Sequence, residues 1–183
     1  MKLKAARQSF PSASPPCVRL CFSIEQLPLF LYTRAMSLCC FTMLKPGVLN
    51  RRLVGEVIGR LERKGLKLIG IKMLRITPEL AAEHYAEHKS KPFYEELISY
   101  ITSAPVVAMV WQGSDCIALI RKLSGATRPL DAEPGTIRGD FCARTQQNII
   151  HASDSESNAE REISLFFDKS ELVDWDDCAS MWY

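Results

Sequence analysis

No GxGxxG turn, no GxxxxGK[ST] loop and no GxSxG elbow occurs in this chain, which removes the common dinucleotide-binding, P-loop and hydrolase readings. Long apolar runs are missing as well. Nothing approaches the roughly 20 uninterrupted apolar residues of a membrane helix. The seven cysteines (17, 21, 39, 40, 116, 142 and 178) include no CxxC pair, and two of them are adjacent. That spacing suits neither a disulfide framework nor a zinc site, and predicts reduced thiols in an intracellular protein. Excess charge is small: the net charge is +2, and Lys2, Lys4, Arg7, Arg19 and Arg34 against Glu25 leave the chain beyond residue 40 slightly acidic. A polyanion binder carries its excess positive charge on the folded part, so no specific nucleic-acid partner is expected.

What is present is one domain's worth of globular sequence, 183 residues of which 47% are hydrophobic. Residues 1–37, with "SFPSASPPC" among them, mix prolines, serines and basic residues. They predict a disordered extension or a targeting segment, with residues 38–183 as the domain. "SLCCFTML" reads as a buried strand that stops at Lys45-Pro46-Gly47. Leu53, Val54, Val57, Ile58 and Leu61 then recur at helical spacing up to Gly65, and "LKLIGIKMLRI" alternates as a strand. Thr77 and Pro78 open a second helix as cap and first residue; "PFYEELISYI" continues helical, and "APVVAMVW" is a β-branched strand. A helix over "SDCIALIRKLSG" ends at Gly125, a long irregular loop follows, "NIIH" is a short strand and "SESNAEREISLFF" a final helix. The order predicts an α+β fold, a ferredoxin-like βαββαβ antiparallel sheet with helices packed on one face.

His151 falls at the carboxyl end of the last strand, where it is either a satisfied core residue or a nucleophile. Glu162 on the following helix can return to the ring, and Ser153 can hold either group by hydrogen bonding. Lys45, Arg121 and Arg138, with Thr127, suit a phosphate clamp, because charge spread over phosphoryl oxygens is best met by donors already in place. His84 and His88 are four apart, as on a zinc helix, but Glu87 is not placed as in HExxH and no third ligand lies nearby in sequence. They are expected at the surface or half buried, with no protein metal site. RNA recognition is disfavoured because "SLCCFTML" offers only Phe41 for stacking and "VVAMVW" places its Trp at the end.

The stretches "KPGVLNRRLVGEVIGRLERKGLKL", "HYAEHKSKPFYEELISYITSAPVVAMVW", "PGTIRGDFC" and "NIIHASDS" together resemble the nucleoside diphosphate kinase family, over residues 41–183. The resemblance implies a phosphotransferase that moves the γ-phosphate of a nucleoside triphosphate such as ATP to a nucleoside diphosphate, by a ping-pong route through a phosphohistidine at His151. It implies phosphate-site roles for Lys45, Tyr85, Arg121, Thr127 and Arg138, with Mg²⁺ carried on the nucleotide phosphates. Asn148 would bind the sugar alongside Lys45, Phe93 would stack on the base with Leu97 beside it, and Ser153 and Glu162 would orient the histidine. It also implies a homo-hexamer, to which "VDWDDCASMWY" would contribute. The location expected is the cytoplasm, or a mitochondrion or plastid if residues 1–37 are a transit peptide. Three departures stand out: "KPGV" where "KPDG" is usual, Thr145 where an aliphatic residue clamps the base, and Arg128 where asparagine is common. A nucleotide-binding regulator or scaffold of the same fold, and phosphoryl relay from His151 to a protein, are the alternatives.

Overall fold

The computed structural model describes residues 39–145 and 147–178; the expected extension at 1–37, Trp182 and Tyr183 lie outside these. Four strands, β1 (Cys39–Leu44), β2 (Lys67–Leu74), β3 (Val106–Gln112) and β4 (Ile150–Ala152), form one sheet in the order β2-β3-β1-β4. Every pairing in it is antiparallel. This is the ferredoxin-like order that the sequence predicts.

Helices α1 (Pro46–Asn50) and α2 (Val54–Glu62) follow β1; α3 (Pro78–His84) and α4 (Tyr94–Thr102) separate β2 from β3. The chain continues through α5 (Cys116–Ser124), α6 (Ile137–Phe141) and, after β4, α7 (Glu156–Phe166). The Thr77 hydroxyl accepts the Leu80 N–H at 3.2 Å, and Pro78 occupies the first turn, as expected of that start. Gly65 and Gly125, at φ +88° and +78°, adopt the left-handed conformation that ends helical stretches with least strain.

The expectation of helices on one face is incomplete, because both faces are covered. On one side, Cys40, Leu44, Met109 and Trp111 pack against Val57 and Leu61 of α2 and Ile120 of α5. On the other, Phe41, Met43, Ala108 and Val110 pack against Ala81 of α3, Ile101 of α4 and Ile163 and Phe166 of α7. Unbroken burial of β1 and near-unbroken burial of β3 follow, as in any strand with apolar layers above and below. Trp111 keeps its indole N–H satisfied inside this core by donating to Thr42 Oγ1 at 3.0 Å.

Two five-residue helices replace what the sequence predicts as a strand stop and a featureless loop. Both are too short to show a hydrophobic period. Local chemistry sets them: Pro46 starts α1, and the Thr136 hydroxyl accepts Gly139 N–H at 3.1 Å to start α6. A side chain on Gly139 would collide with the Glu133 carbonyl, so α6 closes tightly on the loop before it. The tail after α7 returns along β2: Val173 N–H donates to Ile69 O at 2.8 Å and the Trp175 indole N–H to Leu68 O at 2.9 Å.

Candidate active site

Strand register places the central histidine. In the β1–β4 ladder Met43 lies opposite His151, and facing residues project to the same side of a sheet. His151 therefore stands on the Phe41 face, its ring centroid 6.0 Å from that of Phe41. Lys45, one residue past β1, is anchored by its backbone N–H donating to Ile149 O at 2.9 Å. The imidazole and this cation are thus set by neighbouring strands.

Helix α7 supplies the partner. Its buried residues are Ala159, Glu162, Ile163 and Phe166, so a carboxylate occupies the stripe that packs on the sheet. Glu162 Oε1 lies 2.8 Å from His151 Nε2, and Oε2 accepts the Ser153 hydroxyl at 2.5 Å. Ser153 is itself fixed by accepting the Phe41 N–H at 3.2 Å. Because a carboxylate oxygen accepts, Nε2 carries the proton and Nδ1 carries the lone pair. The ring is less open than an isolated strand-end histidine would be, with 23% of its side chain exposed.

Ten of the eleven residues singled out from the sequence line one cleft of about 550 Å³: His151, Lys45, Glu162, Tyr85, Phe93, Leu97, Arg121, Thr127, Arg138 and Asn148. The eleventh, Ser153, is buried behind Glu162. Thr145 lines it too. Residues that the sequence reading did not place there include Glu87, His88, Glu96, Asp154 and Asn158. His88 meets Phe93 with ring centroids 5.8 Å apart, and Phe93 is 46% exposed, a large apolar ring left open to the cleft.

The electrostatics favour an anion. Burial, then the nearby Arg138, pulls the Lys45 ammonium down from 10.5 to about 8. Burial also lowers the Arg138 guanidinium, which donates to Gly125 O at 2.5 Å and Ile150 O at 2.8 Å and so ties the end of α5 to β4. Burial, with Glu162 and Tyr100 near, pushes the Tyr85 phenol up.

Several buried polar atoms here have no protein partner. Among the described residues six carry such side-chain atoms, and three of the six, Tyr85 (hydroxyl), Arg138 (Nε) and Asn148 (Oδ1), line the cleft. Buried groups of this kind are normally satisfied, so their concentration in one cleft marks it as a binding site for a polar ligand.

One expectation about His84 fails: it is 2% exposed, neither at the surface nor half buried. Ligand-type atoms of His84, His151 and Glu162 lie within 4.8 Å of one another. Folding supplies the neighbours that sequence proximity does not. Glu162 Oε1 already faces the Nε2 proton, and a proton and a metal ion at that nitrogen exclude one another. The remaining cleft carboxylates, Glu87, Glu96 and Asp154, are exposed, and Asp154 accepts from Asn158 Nδ2 at 2.8 Å. Such a donor set fits a hard cation delivered on phosphate oxygens and still partly hydrated better than one caged by protein.

A sequence profile described as nucleoside diphosphate kinase matches residues 39–172. The nucleoside diphosphate kinase of Methanothermobacter thermautotrophicus is 59% identical over 136 residues, 74% of this chain and 91% of that protein. That of Archaeoglobus fulgidus is 57% identical over 142 residues, 78% of this chain and 94% of the relative. Among solved structures, a halophilic nucleoside diphosphate kinase from Halobacterium salinarum in complex with CDP superposes with a TM-score of 0.77 at 55% identity, covering 79% of this chain and 96% of that one. A family protein from Babesia bovis gives 0.76 at 42% identity, covering 79% and 97%. With a polar, cation-lined cleft on this sheet, a profile match over residues 39–172 and identity at this level over 74–78% of the sequence, the chain belongs to the nucleoside diphosphate kinase family.

Proposed function

We propose that residues 38–183 form the catalytic domain and that His151 is its nucleophile, carrying the phosphoryl group between nucleotides in two half-reactions. The observation that carries this reading is the His151–Glu162–Ser153 relay, which fixes the Nε2 proton and leaves Nδ1 with its lone pair at the cleft. In the first half-reaction Nδ1 gives its electron pair to the γ-phosphorus. The bond from that phosphorus to the bridging oxygen breaks, and its electrons leave with the diphosphate. Glu162 balances the charge that appears on the imidazole, whose Nε2 proton stays in place. The second half-reaction reverses these steps onto another diphosphate.

Lys45, Arg121 and Arg138, with Thr127 and the Tyr85 hydroxyl, hold the phosphates, so that charge moving from γ- to β-oxygens as the diphosphate leaves meets donors already in position. Asn148 Oδ1, which lacks a protein partner, accepts a sugar hydroxyl. Phe93 and Leu97 take the base. Stacking reads little of a base's edge, and this supports use of several nucleotides. Mg²⁺ carried on the nucleotide phosphates would offset their charge, and Asp154 and Glu87 would be the carboxylates available to its hydration shell.

The chain assembles as a homo-oligomer, with a hexamer the form implied by the family resemblance. Edge strand β2 and the loop before α6 support self-association, because Ile71 (49% exposed), Met73 (65%) and Leu130 (92%) stand in water in a single chain. The protein acts in the cytoplasm.

Incubation with γ-labelled ATP tests the nucleophile. The expected result is acid-labile label on the protein that leaves when a diphosphate is added, and none on His151→Ala. Label retained on that variant refutes the assignment; label that forms but never transfers to a diphosphate supports a non-turnover regulator instead.

A further inference from the structure

His84 belongs to none of the roles above, yet it sits at their centre. It ends α3, directly before Tyr85, and both of its ring nitrogens are buried without a hydrogen-bond partner. Its Nδ1 lies 3.9 Å from Glu162 Oε1. Its ring meets His151 edge-on at 4.7 Å and 79°, and Phe166 at 5.2 Å and 89°. An imidazole so enclosed is costly to leave unsatisfied, and a closure of under 1 Å would bring a donor onto the carboxylate that aligns the nucleophile.

We propose that His84 is a positioning residue for phosphoryl transfer: its Nδ1–H is a second donor to Glu162 Oε1, fixing the carboxylate against His151 while the phosphohistidine forms and breaks down. The inference rests on His151 as nucleophile. Glu162 Oε2 is claimed by Ser153, whereas Oε1 is shared between the Nε2 proton of His151 and the space in front of His84. A neutral donor suits that space. It holds an anion without adding a positive charge that would compete with the imidazolium character His151 gains on phosphorylation. Burial, with His151, Arg161, Lys45 and His88 adding to it, keeps the His84 ring in its neutral form. The ring edges against His151 and Phe166 then fix the plane in which the donor points.

The test separates donor geometry from packing. His84→Asn places an amide N–H close to the position of Nδ1, whereas His84→Phe fills the volume with no donor. In single-turnover labelling with γ-labelled ATP, His84→Phe is expected to slow phosphohistidine formation by about ten- to a hundred-fold, the worth of one hydrogen bond to a charged group, with the half-saturating ATP concentration unchanged. His84→Asn is expected to recover most of that rate. A His84→Phe rate equal to wild type, or Asn no better than Phe, overturns the proposal. Should the variants fail to fold, ¹⁵N–¹H correlation spectra of the wild-type protein decide it: a His84 ring protonated at Nδ1 supports the role, and one protonated at Nε2 refutes it. Failure of wild-type labelling would refute the nucleophile itself, an outcome distinct from either.

Discussion

Replacing Lys45 by methionine is expected to make the empty protein more stable while removing its phosphate chemistry. Lys45 is 5% exposed, and burial, with Arg138 beside it, lowers its pKa from 10.5 to about 8. The depressed value means that the folded state resists the charged form. At pH values below about 8 the folded protein carries the whole penalty, roughly 3 kcal/mol for a shift of this size. As pH rises from about 8 to about 10.5 the unfolded chain holds more protons than the folded one, so this group's contribution to stability improves across that window. Urea unfolding should therefore find Lys45→Met ahead of wild type by about 1–3 kcal/mol at pH 7, with the gain fading near pH 10.5. Bound phosphates should restore the charge. At pH 9 only about one empty site in ten carries the proton, so the apparent KM for a nucleotide should rise about tenfold between pH 7 and pH 9. Calorimetry at pH 8.5 in two buffers of different ionisation enthalpy should detect proton uptake on binding. A KM that stays flat over that range, together with a methionine variant no more stable than wild type, would refute the reasoning.

Thr145 lines the cleft where an aliphatic residue would clamp the base. Thr145→Val should lower KM about two- to fivefold, the gain from one more apolar contact, with an unchanged rate of labelling at saturation; steady-state kinetics would show it. Gly139→Ala should cost more than about 2 kcal/mol, because the added methyl meets the Glu133 carbonyl, and should also lower turnover through Arg138 one residue away; thermal unfolding and kcat would report the two effects. Thr42→Val leaves the buried Trp111 indole N–H without its acceptor and should destabilise by about 1–3 kcal/mol, measurable by urea titration. Light scattering at micromolar concentration should find an oligomer, and a monomer would remove the role given to Ile71, Met73 and Leu130.

The sheet was legible in outline because each strand carries its own apolar pattern and each long helix its own period, whereas the layer on the second face depends on which segments pack together. No single helix reveals that. Glu162 could be found because the helix after His151 can return it to the ring, and Lys45, Arg121 and Arg138 because cations in loops and on helices suggest a phosphate clamp. Tyr85, Phe93, Leu97 and Asn148 look ordinary in the sequence, and only the family resemblance drew them in. The structure brings them to the same cleft. His84 escaped because its importance lies in contacts with residues far along the chain, His151 and Glu162, that sequence spacing cannot register.

Met43 and His151 are opposing rungs of one hydrogen-bonded ladder, and Lys45 follows two residues later on the same strand edge. A slip of one rung would turn the imidazole through the sheet into the apolar layer on the far side. Turnover therefore depends on this ladder being intact: during denaturation, loss of activity is expected to trace the same curve as loss of strand signal in circular dichroism.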